Sequence, residues 1–154
     1  MALLKYLDSK KVRYELTRHR PAFTAQQVAA EEHVSGIQVA KPVLIKADDK
    51  YYLCVLPACH KIVFPALTQY LRAEDVRLAD ENEMAAIFGD CQLGAEPPFG
   101  HLYGIDTLMD DSLEQGVTIL FQAETHEHAV RMRLSDYKKL ACPKLLSFSY
   151  HEQS

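Results

Sequence analysis

The feature that most constrains the fold is a pair of apolar segments separated by a short polar break. Residues 39–46 and 51–56 are rich in β-branched, aromatic and aliphatic side chains, whereas residues 47–50 are polar and typical of a turn. Two such runs joined by a short turn predict a β-hairpin. The fold is therefore expected to contain at least one pair of antiparallel strands.

Short helices are predicted from their start signals. Thr24 is followed three residues later by Gln27, and Asp80 by Glu83, which is the capping-box pattern of a helix N-terminus. These two signals predict helices over residues 25–32 and from 80 to 88. Further helices are expected over 2–10, 65–71 and 136–140, the last capped by Ser135, and further strands over 12–16, 76–78, 117–121 and 129–134.

Short helices and short strands without a regular β-α-β alternation predict an α+β fold with a mixed, mostly antiparallel sheet. The length of 154 residues suits one domain, which we expect to span residues 1–154. The start of the chain lacks a basic leader followed by an apolar core, and no apolar run approaches the roughly 18 residues of a membrane span. We therefore expect a cytoplasmic protein.

Charge and cysteine content narrow the class of protein further. The net charge of −4 argues against a protein whose main work is non-specific nucleic-acid binding, although a brief contact with an RNA end needs only a local basic patch. The four cysteines form no C-x-x-C pair, so we expect reduced thiols that behave as small buried side chains.

Lys41 is the first candidate functional residue. Strand alternation places it on the same face as Val39, Val43 and Ile45, so it is the one charge on an apolar face. A lysine in such surroundings either serves an anionic ligand or extends its ammonium group to water along an apolar stem. Pro42 denies the strand one hydrogen bond, which suggests an edge or a strand start.

The most unusual local sequence is the loop 94–100, which reads Gly-Ala-Glu-Pro-Pro-Phe-Gly. Gly94 and Gly100 permit close approach of a ligand, and the two prolines between them stiffen the backbone. Such a loop can hold backbone N–H groups ready for a developing negative charge, as an oxyanion hole requires. The alternative is a plain connection packed by Phe99.

Histidines and arginines supply weaker candidates. His126 and His128 form an H-x-H pair that could provide two metal ligands, but no third ligand lies nearby, so we expect neither a metal nor another cofactor. A single histidine could serve as a hydrogen-bond partner of a substrate or lie on the surface. Arg18 and Arg20 flank His19 in a basic cluster that could contact phosphates or form a solvated turn.

Three stretches of the chain resemble the YbaK/ProX family of aminoacyl-tRNA deacylases, which is related to the editing domain inserted in bacterial prolyl-tRNA synthetases. Residues 19–29 resemble the family's capped helix, residues 39–45 carry a lysine where the family has its functional one, and residues 94–100 fit the family's G-x-x-x-P-F-G loop. The resemblance covers residues 12–141. It implies the family's mixed sheet or partial barrel flanked by short helices.

The resemblance also implies roles for individual residues. Lys41 would lie close to the acceptor end of the tRNA and be required for activity. The loop would present backbone amides to the aminoacyl ester, which assigns Gly94 and Gly100 to catalysis and Pro98 and Phe99 to substrate binding.

A late histidine shapes the amino-acid pocket in some members of the family. His126 is our match for it, with His128 as the second choice. Many members carry a small residue, often glycine, where Glu124 stands, and Glu96 is an unusual charge inside the loop. Arg18 and Arg20 are expected to contact the phosphates of the substrate.

The expected function is trans-acting, metal-independent deacylation that cleaves the ester between a mischarged small amino acid and tRNA. The expected partner is the aminoacyl-tRNA acceptor end, with an aminoacyl-tRNA synthetase as a further candidate, and neither a membrane nor DNA. An alternative is a non-catalytic module of the same fold that grips a tRNA end or a synthetase, and a third is a structural interaction domain. The sequence names neither the amino acid, nor the tRNA, nor the group that activates water.

Overall fold

The computed structural model describes residues 2–151, and the predicted hairpin lies at its centre. Strand β2 (Ala40–Ala47) pairs antiparallel with β3 (Lys50–Pro57) along its whole length, which places Lys41 opposite Leu56. Three further strands complete a five-stranded sheet in the order β5-β2-β3-β6-β9: β5 (Val76–Leu78), β6 (Asp106–Asp110) and β9 (Lys144–Leu146). Strand β5 is antiparallel to β2, whereas β6 and β9 continue the sheet in parallel.

A second sheet has three antiparallel strands in the order β1-β8-β7, and a two-stranded ribbon lies apart from it. The strands of the second sheet are β1 (Tyr14–Arg18), β7 (Thr118–Gln122) and β8 (His128–Arg133), and those of the ribbon are β4 (His60–Ile62) and β10 (Ser149–His151). Most ladders in the described chain are thus antiparallel, which confirms the predicted α+β class with mixed, mostly antiparallel pairing.

Five short α-helices in residues 2–151 flank these sheets. They are α1 (Ala2–Ser9), α2 (Ala25–Glu31), α3 (Phe64–Leu71), α4 (Glu81–Ile87) and α5 (Leu134–Ala141). Both capping boxes are confirmed, with Thr24 capping α2 and Asp80 capping α4.

The predicted cap of the last helix is wrong. Helix α5 begins at Leu134, one residue before Ser135, and Arg133 occupies the N-cap position without a side-chain hydrogen bond. Strand β8 runs directly into this helix, and Leu134 and Tyr137 are both buried in its first turn. Burial of these two side chains, rather than a capping hydroxyl, therefore sets where the helix begins.

The main core lies between the two larger sheets, and Phe99 is fully buried in it. The rings of Phe121 and Tyr137 meet the Phe99 ring edge-on, at centroid distances of 5.5 Å and 5.1 Å. Ala40 of β2 belongs to this core. Because successive residues of a strand point to opposite faces, Lys41 lies on the other face of the sheet, towards the cluster that α3 covers.

Four strands were not predicted from the sequence, namely β4, β6, β9 and β10. In β6, Leu108 and Met109 are both buried but belong to different core clusters, so the strand is covered on both faces and lacks a polar-apolar alternation. The other three contain three residues each.

The described residues contain no helix that is both long enough and apolar enough to cross a membrane. All four cysteines are unpaired. Cys54 is buried as expected, and burial raises the pKa of its thiol. Cys142 departs from the expectation, because it lies exposed in the left-handed turn that ends α5.

The Thr24 cap gives the first testable prediction. We expect Thr24→Ala to lower the free energy of unfolding by about 1 kcal/mol, since the Gln27 N–H then loses its acceptor at 3.1 Å. Thr24→Ser keeps the hydroxyl and is the matched control, expected to stay within about 0.5 kcal/mol of wild type. Urea unfolding of the three proteins measures both values, and equal stability of the Ala and Ser variants would contradict the prediction.

Candidate active site

A cleft lies where the segment after β1 meets the connection between β7 and β8. Its lining residues are Pro21, Phe23, Gln92, Thr125, His126, Glu127 and His128. Backbone hydrogen bonds join the two segments, since the Ala22 N–H donates to the His126 carbonyl at 2.8 Å and the His19 N–H donates to the Glu127 carbonyl at 2.8 Å. The Gln92 side chain accepts from the His126 N–H at 2.8 Å and ties in a third segment.

The His126 ring is held in one orientation. Its centroid lies 4.7 Å from that of Phe23, and its Nδ1 lies 3.2 Å from the Ala22 carbonyl oxygen. Because a carbonyl can only accept, Nδ1 carries the proton in this bond, which leaves Nε2 as the ring nitrogen available to a ligand. Phe23 is 63% exposed, so the cleft has an open aromatic side.

Phe23 was not among the predicted site residues, although it lies in the segment that resembles the family's capped helix. The Gln27 side chain that completes the capping box also accepts from the Phe23 N–H at 2.7 Å. The same local motif therefore starts α2 and positions an aromatic ring at the cleft. The capping pattern in the sequence could have indicated this, but the contact with His126 depends on the tertiary fold.

Gly94 lies beside the His126 ring, in a backbone conformation that favours glycine. Its φ is 91°, and a Cβ at this position would stand 3.5 Å from Cε1 of His126 and 3.5 Å from the Phe23 carbonyl oxygen. A larger side chain would thus extend towards the cleft. The structure brings Gly94, Phe23 and His126 together, two of which were predicted from sequence.

The rest of the loop, residues 95–100, is buried and held at fixed points. The Tyr137 hydroxyl donates to the Pro98 carbonyl at 2.6 Å, and burial raises the pKa of Tyr137, so the hydroxyl keeps its proton. The Gly100 N–H donates to Thr107 Oγ1 at 2.9 Å, and a Cβ on Gly100 would come within 2.6 Å of that oxygen. Phe99 and Gly100 therefore act on the site by fixing the loop, because neither reaches its surface.

Most backbone N–H groups of the loop already have acceptors. Gly94 donates to Oε1 of Glu96 at 2.9 Å, Ala95 to the Gln92 carbonyl at 2.9 Å and Phe99 to the Pro97 carbonyl at 2.9 Å. Pro97 and Pro98 carry no N–H. Within residues 2–151, the Glu96 N–H is the loop donor that makes no hydrogen bond.

Glu124 connects the loop to the first helix. Its φ is 71°, and its Oε1 accepts from the Leu3 N–H in the first turn of α1 at 2.9 Å. Its backbone N–H donates to the Ala95 carbonyl and its carbonyl accepts from the Gln92 N–H, both at 2.9 Å. The left-handed backbone explains why glycine suits this position. In this chain the glutamate has a structural role instead, because its buried carboxylate accepts the Leu3 N–H.

Lys41 lines a groove of its own on the outer face of the five-stranded sheet. The groove is formed by Lys41, Val43, Leu56, Lys61, Ile62, Phe64 and Leu78. Nearby, His60 is 8% exposed, and its Nδ1 lies 2.8 Å from Ser149 Oγ. Burial lowers the pKa of His60; the Asp110 carboxylate opposes this shift, and the His151 and Lys41 charges add to it.

The remaining predicted site residues lie around the edge of the cleft. His128 lines it, with Nδ1 2.5 Å from Thr125 Oγ1, and Arg18 pairs with His128 across the β1–β8 ladder. Arg18 forms a surface ion pair with Glu127 and Arg20 one with Glu31, each at 3.4 Å. In the described part of the chain, no group of three His, Cys, Asp or Glu side chains is arranged to hold a metal ion.

Comparison with solved structures shows the same fold in proteins of low sequence identity. The hypothetical protein APE2540 matches with a TM-score of 0.88 and 16% identity, over 97% of this chain and 100% of that chain. A candidate trans-editing enzyme for prolyl tRNA synthetase matches with a TM-score of 0.81 and 17% identity, over 98% and 95%. A candidate signal transduction protein from Marinobacter aquaeolei VT8 matches with a TM-score of 0.75 and 14% identity, over 97% of this chain and 30% of that chain.

Comparison with curated protein sequences gives no significant match. The sequence profile of the aminoacyl-tRNA editing domain, in contrast, matches residues 19–140. This range includes Lys41, the loop 94–100 and His126, and the match confirms the resemblance seen in the sequence. The chain belongs to the aminoacyl-tRNA editing domain family.

Proposed function

We propose that this protein is a trans-acting deacylase that hydrolyses the ester between a mischarged small amino acid and the terminal ribose of tRNA. The observation that carries the proposal is the placement of Gly94, at positive φ, against the ring of His126 at the mouth of an open cleft. A glycine here leaves room for a ligand between the stiff loop 94–100 and the Nε2 atom of His126. One methylene changes binding by only about 1–3 kcal/mol, so a synthetase misloads similar amino acids. A second pocket that selects by the size of the amino acid would remove such errors.

The loop would stabilise the negative charge that develops on the ester carbonyl when water attacks. The Glu96 N–H has no acceptor within residues 2–151, whereas the Gly94 N–H would first have to leave the Glu96 carboxylate. A well-placed donor contributes on the order of 3 kcal/mol to the transition state. Gly94 and Gly100 would take part by holding the loop in this shape, with Pro98 and Phe99 anchoring it in the core.

Lys41 would hold a phosphate or the sugar of the acceptor end rather than act as a nucleophile. Lys41 lines its groove together with a second lysine, Lys61, and apolar side chains, so the groove is positively charged and suits an anionic ligand. His126, and next to it His128, would shape the amino-acid side of the pocket. Arg18 and Arg20 would contribute weakly, because each faces a carboxylate and lies on the surface.

A non-catalytic module that grips a tRNA end is the second candidate. It is favoured by the hydrogen bond between the Gly94 N–H and the Glu96 carboxylate, which occupies a donor that catalysis would use. The two candidates differ in turnover, since the module binds aminoacyl-tRNA without hydrolysing it. A panel of mischarged tRNAs incubated with the purified protein separates them and identifies the amino acid.

Substitution of Lys41 tests the proposed grip on the acceptor end. We expect Lys41→Ala to lower kcat/KM for the preferred mischarged tRNA by about 100-fold or more, because the ester would no longer be held in place. Lys46→Ala removes a lysine from the same strand, whose ammonium group lies over the Tyr51 ring, and is expected to retain wild-type turnover. Turnover of Lys41→Ala equal to that of Lys46→Ala, with both proteins folded, would rule out the assignment.

Substitution of Gly94 tests the loop. Gly94 and Gly104 both have positive φ, at 91° and 74°, so we expect Gly94→Ala and Gly104→Ala each to cost about 1–2 kcal/mol in stability. Only the change at Gly94 alters the loop beside His126, so it alone should reduce deacylation, by more than about tenfold. Urea unfolding and a deacylation time course on both variants provide the measurements. Equal activity of the two variants would show that the loop backbone is not used.

The proposed chemistry draws its charge stabilisation from backbone amides, so it needs no metal. We expect incubation with excess EDTA followed by desalting to leave the deacylation rate unchanged. Add-back of Mg²⁺ or Zn²⁺ to the desalted protein is the control. Loss of turnover with EDTA and recovery with one of these ions would overturn the metal-independent mechanism.

A further inference from the structure

A second groove lies on the three-stranded sheet, at the end away from the cleft. It is lined by Val12, Arg13, Tyr14, Glu15, Thr118, Arg131, Met132 and Arg133. Arg131 and Arg133 lie two residues apart on β8, so they point to the same face of the sheet, and Arg13 directly precedes β1. Arg13, distant in sequence, thus shares one surface with Arg131 and Arg133.

These three arginines differ from others in the chain by their lack of a carboxylate partner. Arg18, Arg20 and Arg77 each form an ion pair with a glutamate. Arg13, Arg131 and Arg133 form none with any residue in the range 2–151.

The nearby acids do not cancel this charge. Glu15 is the cross-strand neighbour of Arg131, but no ion pair joins them. Glu32 does not line the groove, and its carboxylate accepts a hydrogen bond from the Thr17 hydroxyl. Among the residues that line the groove, Glu15 is the single carboxylate, against three arginines. The groove carries a net positive charge on a protein whose net charge is −4.

Strand β8 connects this groove to the candidate active site. The strand begins at His128, which lines the cleft, and ends at Arg133. At about 3.3 Å per residue, Arg131 and Arg133 lie about 10 and about 17 Å along the strand from His128. This is a distance that a few nucleotides of an extended strand span. His128 and the two arginines point to opposite faces of β8, so a nucleic acid with its end in the cleft would pass round the edge strand β1 to reach the arginines.

We infer that this groove binds the phosphate backbone of the tRNA acceptor end, next to the nucleotide that enters the cleft. The inference rests on the proposed function, and it assigns to Arg13, Arg131 and Arg133 the phosphate contacts that the sequence had suggested for Arg18 and Arg20. Guanidinium groups suit this task because they donate two parallel hydrogen bonds to one phosphate. A small basic surface on an acidic protein binds briefly, which allows a product tRNA to leave.

Binding of uncharged tRNA tests the groove without requiring any turnover. Arg13→Gln, Arg131→Gln and Arg133→Gln each remove one charge and keep a polar side chain. Arg72→Asn is the matched control, because Arg72 also lacks an ion pair with the residues in the range 2–151, lies outside the groove and has a left-handed backbone that asparagine tolerates. Affinities are measured by fluorescence anisotropy between about 50 and about 200 mM salt.

We expect each groove variant to bind tRNA about fivefold more weakly at the lowest salt, and to lower the slope of log K against log salt by about one. Arg72→Asn should bind as wild type does. The inference is overturned if the groove variants bind like wild type, if Arg72→Asn loses as much affinity as they do, or if the wild-type chain binds no tRNA at the lowest salt. Competition by a DNA duplex equal to that of tRNA would overturn the assignment to RNA.

Kinetics then separate this inference from the proposed function. The groove variants should raise KM for full-length mischarged tRNA more than KM for an aminoacylated adenosine, which ends in the cleft and carries no phosphate for the arginines to bind. Equal effects on both substrates would contradict a role in backbone binding. If the wild-type chain hydrolyses no aminoacyl-tRNA, the proposed function fails, and the binding measurements still decide the role of the groove.

Discussion

The site depends on the burial of Phe99 between the two sheets. Its ring packs against Phe121 and Tyr137, and the Tyr137 hydroxyl holds the carbonyl of Pro98. These contacts fix the buried half of the loop in the core, so that the exposed end at Gly94 has a defined position beside His126. A loop that is rigid before a ligand arrives can stabilise charge without a cost of reorganisation, which is why a core contact matters for chemistry at the surface.

Lys41 and the loop 94–100, the two main candidate site elements, lie on different surfaces of the protein. Phe99 packs on the face of the five-stranded sheet that Ala40 shares, whereas Lys41 lines the groove on the opposite face. Gly94 and His126 lie at the cleft formed by the β7–β8 connection. The proposed tRNA substrate would therefore have to contact both surfaces at once.

Charge is distributed unevenly over a chain whose total is −4. Arginines such as Arg18 and Arg20 are balanced by glutamates at the surface, and such pairs add little to stability. Arg13, Arg131 and Arg133, three of the four arginines that form no ion pair within residues 2–151, instead lie at one end of the three-stranded sheet. Net charge alone therefore argues against a general nucleic-acid binder, but it does not reveal a local basic surface such as this one.

The sequence by itself determined the features that depend on neighbours a few residues apart. The hairpin of β2 and β3 and the capping boxes at Thr24 and Asp80 were predicted and are present, because each rests on short-range hydrogen bonds or on a two-residue period. The order of the three motifs was likewise enough to indicate the family that the profile match confirms. The start of α5 and the strand β6 were missed, because burial against distant residues decides both.

Only the tertiary structure decided which groups meet at the site. The contact between Phe23 and His126, the capture of the Gly94 N–H by Glu96 and the attachment of Glu124 to α1 involve groups whose positions follow from loop conformation and strand register. The gathering of Arg13, Arg131 and Arg133 depends on β1 pairing with β8 in one register, since a shift by one residue would send alternate side chains to the other face. The sequence names the chemical groups, and packing of the core sets which of them face the same ligand.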